Sequence, residues 1–188
     1  MSNKRLKIGK FPFYWRTTGI SDSNKVNFPT KMIDFSLHID KKSGFIKQER
    51  TQELLNIITE IYQLDHNIGY LQEGTDEVET YGKEFYEFII STVEDLKFDI
   101  TQPFDILDIG CGGGFVLNQL NKKYINARAI GIEPSPLAKR ASEKFGFELI
   151  EEFYPPKFRE KIQNANIVLH YDVLEHVEEP LIFLEDIY

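Results

Sequence analysis

The sequence lacks the features that distinguish disulfide-rich, membrane-spanning and repeat proteins from ordinary globular domains. Its single cysteine, Cys111, excludes an internal disulfide. No apolar run approaches the ~20 residues of a membrane span, and no apolar stretch follows the basic N-terminus, so the sequence predicts a cytoplasmic protein. Internal repeats and low-complexity segments are also absent. The 188 residues, 41% of them hydrophobic and 28% charged, are enough for a real hydrophobic core.

Acidic residues are scarce in the first fifty residues, and basic residues are the minority of the charged residues in the rest of the chain. Residues 1–50 carry eleven Lys and Arg against four Asp and Glu, a net charge of +7, whereas residues 51–188 have a net charge of −15. The acidic part is a poor surface for polyanions, so nucleic acid is not expected as a substrate. The basic part either binds a phosphate-bearing small substrate or docks on the acidic part.

The most informative segment is a buried-strand pattern, part of a strand predicted at residues 104–110, that runs into four glycines and then into a helix-like stretch. Glycine tolerates positive φ and has no Cβ, so a ligand can approach the backbone where the helix presents free N–H groups. Asp108, two residues before the first glycine, places a carboxylate where a cation fits. Phe115 occupies the position that dinucleotide-binding folds fill with Gly or Ala, which disfavours an NAD-binding oxidoreductase.

Two further segments follow in the order expected of a nucleotide-binding βαβ unit. Residues 129–133 form a second strand pattern that ends in Glu133, 23 positions after Gly110. This is close to the ~20-residue offset of an acid that binds ribose hydroxyls. Residues 166–172 form another strand pattern, and a loop follows it to Val177.

These segments together resemble the D-x-G-x-G-x-G turn and the later strands of class I S-adenosylmethionine (SAM) methyltransferases. The resemblance covers residues 104–188. It implies an α/β fold with a doubly wound, mostly parallel, Rossmann-like sheet. It also implies SAM as the cofactor and a small-molecule acceptor such as a sugar, a glycan precursor or a phenolic metabolite. The cofactor-binding residues that it implies are Asp108, Gly110, Cys111, Gly112, Gly114, Glu133, Pro134, Tyr171 and Asp172.

Members of this family build a seven-stranded sheet, whereas four strands are expected here. The sequence therefore predicts a fold truncated after the fourth strand, at residues 166–172, whose open edge invites self-association. Two functions follow from this expectation. The chain is either a methyltransferase or a truncated binding module that holds SAM or a partner without catalysis.

The loop after the fourth strand carries the candidates for catalysis. His176 is a candidate general base for a hydroxyl or carbon acceptor, or it caps the loop. Asp172, Glu175 and His176 are similar to the E-x-x-E-H loops that bind a divalent metal in some methyltransferases. No metal is expected here, because Asp shortens the reach of the first ligand and no distant fourth ligand is evident. Cys111 is expected to pack in the crowded turn rather than to act as a nucleophile.

The remaining patterns divide the chain into an N-terminal region, residues 1–75, on the substrate side and a SAM-binding domain, residues 76–188. The first region is predicted to be irregular up to residue 47, with two short strands and turns at residues 29–30 and 42–44, and then helical at 49–64. Further helices are predicted at 77–97 and near 157–163. The region resembles the leader of sugar-nucleotide C-methyltransferases without its zinc-binding cysteines, and in such relatives the stretch equivalent to residues 70–75 reaches the cofactor.

Overall fold

A computed structural model describes residues 4–12, 32–63, 76–157 and 159–188. The chain divides into two compact units, Met1–Thr59 and Glu60–Tyr188. Residues 64–75, which lie beside the predicted domain boundary and include the segment 70–75, are outside the described ranges. The predicted turn at residues 29–30 is outside them as well. Within the described ranges, no helix combines the length and the apolar character that crossing a bilayer requires.

The first unit contains a three-stranded antiparallel sheet in the order β1 (Lys4–Pro12), β2 (Met32–Ile39) and β3 (Ile46–Gln48). The nine-residue β1 corrects the prediction that this region is irregular. Its apolar residues alternate at Leu6 and Ile8, but the register shifts between Lys7 and Gly9. This bulge moves Phe11 out of phase, so a strict period-two pattern misses the strand.

The turn between β2 and β3 confirms the predicted turn at residues 42–44. The Asp40 carboxylate accepts hydrogen bonds from the Lys42 N–H at 2.9 Å and from the Ser43 hydroxyl at 2.8 Å. Gly44 supplies a φ of 77°. Helix α1 (Gln52–Gln63) then begins after Thr51, whose hydroxyl accepts a hydrogen bond from the Leu54 N–H at 3.2 Å.

The second unit is an α/β domain built on a four-stranded parallel sheet, as predicted. The strand order is β6-β5-β4-β7, so the chain starts in the middle of the sheet, moves to one edge and then crosses to the other. Its elements are α2 (Asp76–Asp95), β4 (Phe104–Ile109), α3 (Phe115–Lys123), β5 (Ala127–Ile132), α4 (Pro136–Phe145), β6 (Glu148–Ile150), β7 (Ile167–Leu169), a 3-10 turn (Leu174–His176) and α5 (Pro180–Ile187).

Helices cover both faces of this sheet. On one face, residues of α2, α3 and α4 pack around Ile106 of β4; Val93, Val116 and Ala138 are examples. On the other face, Phe183 of α5 packs with buried residues of β4 and β5. Because β4 and β5 are covered on both sides, they consist of nearly continuous apolar residues, and their carboxyl ends meet at one edge of the sheet.

Two predictions after β6 are wrong in detail. The helix expected near residues 157–163 is replaced by successive turns, with hydrogen bonds from the Ile162 N–H to Arg159 O at 3.0 Å and from the Ala165 N–H to Ile162 O at 3.2 Å. Arg128, which is distant in sequence, also donates to the Lys161 carbonyl at 3.1 Å. The strand expected at residues 166–172 ends at Leu169, because the chain turns at Tyr171 and Asp172.

Candidate functional site

The turn between β4 and α3 requires glycine for two different reasons. Gly110, Gly112 and Gly114 have φ values of 75°, 50° and 66°. A Cβ on Gly110 would lie 2.6 Å from Val173 Cγ2, and one on Gly114 would lie 2.5 Å from the Phe147 ring. A Cβ on Gly112 would meet nothing closer than the Gly110 carbonyl at 4.0 Å. The backbone at Gly112 is therefore open to a ligand, whereas the other two glycines fit against the protein itself.

Helix α3 begins directly after this turn. Gly114 is its N-cap and offers no side chain to bond the first N–H groups of the helix. The Gly114 N–H donates across the turn to the Cys111 carbonyl at 2.8 Å, and the first hydrogen bond of the helix runs from the Asn118 N–H to the Gly114 carbonyl at 2.9 Å. The turn therefore presents N–H groups and the positive end of a helix dipole at the carboxyl edge of the sheet.

Asp108 lies in β4, at the approach to the glycine turn, and its side chain is fully buried. Its Oδ2 accepts a hydrogen bond from the Tyr171 hydroxyl at 3.4 Å, and its Oδ1 has no hydrogen-bond partner within the described part of the chain. Burial raises the pKa of this carboxyl to about 8, and the negative charge of Glu133 adds to the rise, against the Tyr171 hydrogen bond. A buried carboxylate with an unused oxygen is suited to a cationic ligand.

Glu133 follows β5, the strand next to β4, and is also buried, with 7% of its surface exposed. Its Oε1 accepts a hydrogen bond from the Ser135 N–H at 3.1 Å, and its own N–H donates to the Ile150 carbonyl at 3.1 Å. Burial raises the pKa of this carboxyl as well, although the hydrogen bonds from Ser135 and Gly112 oppose the rise. Because Ile109 pairs with Ile132 in parallel register, Asp108 and Glu133 sit at the same edge of the sheet.

Cys111 is held inside the turn by packing. Its Sγ lies 2.6 Å from the position of a Cβ on Gly131, so the absence of a side chain at residue 131 makes room for the thiol. Burial raises the pKa of the thiol well above its usual range, and the charges of Asp108 and Glu133 act in the same direction. The thiol is therefore unsuited to nucleophilic chemistry, and only the backbone of Cys111 could contact a cofactor.

Tyr171 and Asp172 join the site from the loop after β7. Tyr171 reaches Asp108 through its hydroxyl, and its ring stacks on Phe85 of α2 with centroids 4.8 Å apart. Asp172 has a φ of 54° and accepts a hydrogen bond from the Tyr81 hydroxyl at 2.9 Å. Tyr81 and Phe85 also contact each other, with ring centroids 4.9 Å apart. The site thus has an aromatic wall contributed by α2.

His176 lies at the end of the 3-10 turn, where its side chain is 58% exposed and its Nε2 is 3.9 Å from Glu175 Oε1. The His176 N–H donates to the Val173 carbonyl at 2.8 Å. Among the residues that the structure describes, no three His, Cys, Asp or Glu side chains are arranged to hold a metal ion, so Asp172, Glu175 and His176 do not form a ligand set.

The segment after β6 supplies the remaining candidates at this edge. Pro134 is half-buried between Glu133 and the start of α4. The Glu151 carboxylate bonds Lys139 at 3.2 Å, and the Glu152 carboxylate accepts the Lys157 N–H at 2.7 Å. Phe153 keeps 43% of its surface exposed.

The sequence alone did not identify Tyr81 and Phe85 as site residues. Both lie in α2, where the sequence predicted a helix at residues 77–97 and no site residue. They contact Tyr171 and Asp172, which lie about ninety positions later in the chain, and no local sequence pattern predicts a contact over such a separation. A surface cleft of about 260 Å³ lies elsewhere, between α2 and α3, and contains none of the predicted site residues; it is lined by Tyr86, Glu87, Ile90, Ser91, Glu94 and Lys123.

Part of the chain is similar to known methyltransferases. Residues 107–188 match the model of a methyltransferase domain. The ubiquinone biosynthesis O-methyltransferase of Ruegeria sp. (strain TM1040) is 33% identical over 98 residues, which are 48% of this chain and 38% of the relative. That of Actinobacillus pleuropneumoniae serotype 7 (strain AP76) is 27% identical over 88 residues, 43% of this chain and 38% of the relative. The chain thus spans about 38% of the length of these curated relatives.

A solved structure with a similar backbone is that of the plantazolicin methyltransferase BpumL in complex with a pentazolic desmethylPZN analog and SAH. The alignment has a TM-score of 0.48 and 21% sequence identity, and it covers 73% of this chain and 56% of that chain. A second structure of BpumL, in complex with SAH, gives a TM-score of 0.44 and 20% identity over 71% of this chain and 55% of that one.

Proposed function

From the match of residues 107–188 to a methyltransferase-domain model, we propose that the protein binds SAM and transfers its methyl group to a small-molecule acceptor. The observation that carries the proposal is the pairing of Asp108 and Glu133. Two buried carboxylates stand on neighbouring parallel strands beside a glycine turn that is open at Gly112. This edge of an open α/β sheet is where such folds bind their ligands.

Each side of the site suits a different part of SAM. The unpartnered Oδ1 of Asp108 fits the cationic methionine end, and the open backbone at Gly112, with those of Gly110, Cys111 and Gly114, allows close approach. Glu133 would accept the two ribose hydroxyls, and Pro134 borders the same region. Tyr171 and Asp172 would close the pocket from the side of β7. Glu151, Glu152 and Phe153 are the candidates to border the adenine of SAM. We favour Phe153, because the carboxylates of Glu151 and Glu152 are engaged elsewhere.

SAM supplies a methyl group on a sulfonium, which is already a good electrophile. The protein's own task is then to orient the cofactor and the acceptor in line and to exclude water. For a hydroxyl acceptor, we propose His176 as the general base, since a neutral imidazole nitrogen can accept the hydroxyl proton. The two curated relatives are named as O-methyltransferases of ubiquinone biosynthesis, and these names support an oxygen acceptor.

Titration calorimetry tests the cofactor. The 188-residue chain is expected to bind SAM and its demethylated product S-adenosylhomocysteine, and to show no binding of NAD at the same concentrations, because Phe115 fills the position that dinucleotide folds keep small. Binding of NAD without binding of SAM would contradict the proposal. Binding of SAM without methyl transfer to any phenol or sugar would instead favour a module that holds the cofactor.

A further inference from the structure

A hydrogen bond joins α2 to the loop after β7 across 91 positions of the chain. The Tyr81 hydroxyl donates to Asp172 Oδ2 at 2.9 Å. Tyr81 lies in the second turn of α2, at the rim of the site, and 37% of its surface is exposed. This contact is unlike the apolar packing that otherwise attaches α2 to the domain through Ile89 and Val93.

The acceptor of this bond has an unfavourable backbone conformation. Asp172 has a φ of 54°, in the left-handed region that residues other than glycine, asparagine and aspartate rarely adopt. Such a conformation persists where neighbouring contacts hold it, and it is found preferentially at functional sites. Here the neighbouring residues on both sides are also fixed, since Tyr171 bonds Asp108 and Val173 packs against Gly110.

The same two elements are joined a second time by aromatic rings. Tyr81 contacts Phe85 edge to face, and Phe85 stacks on Tyr171. The Tyr171 hydroxyl then lies 3.4 Å from Asp108, the carboxylate that offers an unused oxygen to a ligand. The position of Tyr171 over Asp108 therefore depends on α2 through the Phe85 ring and on Asp172 through the backbone.

We propose that Tyr81 is a positioning residue of the cofactor site: its bond to Asp172 fixes the loop of residues 170–173, and this loop holds Tyr171 over Asp108. The inference rests on the proposed binding of SAM. Tyr81 acts through Asp172 and does not need to touch the cofactor. Without the bond, Asp172 is free to leave the left-handed conformation, and Tyr171 moves with it.

The first experiment measures the affinity for S-adenosylhomocysteine by calorimetry. Tyr81→Phe keeps the ring on Phe85 and removes only the hydroxyl, so we expect Kd to rise five- to tenfold with little change in melting temperature. Tyr86→Phe, which removes a hydroxyl from the same helix outside this contact, is the matched control and should bind as the wild type does.

A double-mutant cycle tests whether Tyr81 and Asp172 affect the affinity through their shared contact or weaken the site independently. Asp172→Gly tolerates the backbone conformation but has no acceptor, so it should lose affinity as Tyr81→Phe does, and the double variant should be no worse than either single variant. Additive losses, or unchanged affinity in Tyr81→Phe, would overturn the inference. Asp172→Gly also provides the test if Tyr81→Phe does not fold.

Hydrogen exchange in the unliganded protein gives a readout that needs no cofactor. The His176 N–H is bonded to the Val173 carbonyl at 2.8 Å, so it reports on the loop. Amides in residues 170–177 should exchange several-fold faster in Tyr81→Phe and at the wild-type rate in Tyr86→Phe. Unchanged exchange refutes the loop attachment. If the wild type binds neither SAM nor its product, the proposed function fails and the exchange result alone decides whether Tyr81 holds the loop.

Discussion

Asp108 and Glu133 are both buried carboxylates at one edge of the sheet, but their surroundings differ. Glu133 accepts a backbone N–H from Ser135, which offsets part of the cost of its burial. Asp108 has one long bond from Tyr171 and an oxygen without a partner among the described residues. An uncompensated buried charge is costly, so the unliganded protein holds Asp108 as a neutral acid over much of the pH range, and a cation in the site would favour its ionised form.

This difference predicts how stability depends on pH. The pKa of Asp108 rises from its ordinary value of 3.8 to about 8 on folding, so the folded state binds the proton more tightly than the unfolded state between these values. The free energy of unfolding of the unliganded protein should therefore fall as pH rises from about 4 to about 8, by an amount on the order of a few kcal/mol. Denaturant midpoints across this range measure the effect.

Asp108→Asn removes the titrating group and should flatten this dependence. Two titratable groups influence Asp108, namely Tyr171 and Glu133, and Asp108 in turn acts on Cys111; burial raises the pKa of all three of these groups. Tyr171 and Cys111 stay neutral throughout, whereas the raised pKa of Glu133 leaves a residual slope of the same sign. Stability that rises with pH in the wild type would contradict this account of Asp108.

Glu133 is expected to matter for binding more than for folding. Glu133→Ala should weaken SAM binding by roughly 1.5–3 kcal/mol, about ten- to a hundredfold in Kd, because hydrogen bonds to a charged group are lost. Glu151→Ala is the matched control, since Glu151 is an exposed carboxylate eighteen positions later in the chain whose pairing with Lys139 is on the surface. Equal affinities for wild type and Glu133→Ala, measured by calorimetry, would remove Glu133 from the site.

At the scale of the element, the glycine turn combines folding and binding requirements. Gly114→Ala would put a methyl group 2.5 Å from the Phe147 ring and should lower stability by more than the ~1–2 kcal/mol of a left-handed alanine. Gly112→Ala meets no close neighbour, so its loss of stability should be limited to the backbone cost while SAM binding falls sharply. Thermal melts and calorimetry on the same samples separate the two effects.

Gly146 provides the control for backbone strain. It ends α4 with a φ of 79°, and a Cβ there would meet nothing within 4 Å. Gly146→Ala should therefore lose about as much stability as Gly112→Ala but bind SAM as the wild type does. Equal affinity in the Gly112 and Gly146 variants would show that the open backbone at Gly112 is not used by the cofactor.

The same elements show what could be predicted from the sequence. The path from β4 through the glycine turn to α3 was predictable, because a buried strand, a run of glycines and a helix each have local patterns. The proximity of Asp108 and Glu133 was predictable, because the carboxyl ends of parallel strands lie at the same edge of a sheet. Strand β1 was missed because its bulge breaks the alternation, and the turns at residues 160–164 were missed because Arg128, distant in sequence, donates to the backbone there. The contacts of Tyr81 and Phe85 depend on how α2 packs against the loop after β7, and no local sequence pattern predicts that packing.

At the scale of the whole molecule, the sheet of the second unit has an open side. Within the described residues β7 pairs with β4 alone. The Asn166 N–H bonds the Asp105 carbonyl at 3.0 Å, so the next N–H along the strand, that of Ile167, points to the open edge. Exposed apolar side chains follow on α5, including Ile182, which is 62% exposed. A strand edge with unpaired N–H and C=O groups invites pairing with another strand.

We therefore predict that the 188-residue chain self-associates through the edge of β7. Light scattering over a range of concentrations should show an average mass that rises with concentration. Ile167→Pro removes the outward N–H at the first residue of the strand, a position where proline is tolerated, and should shift the protein to a monomer without loss of the parallel sheet. Ile182→Lys, which changes only the exposed surface of α5, should leave the association intact. If Ile182→Lys gives the monomer and Ile167→Pro does not, the contact runs through α5, and the edge of β7 is not what brings the chains together.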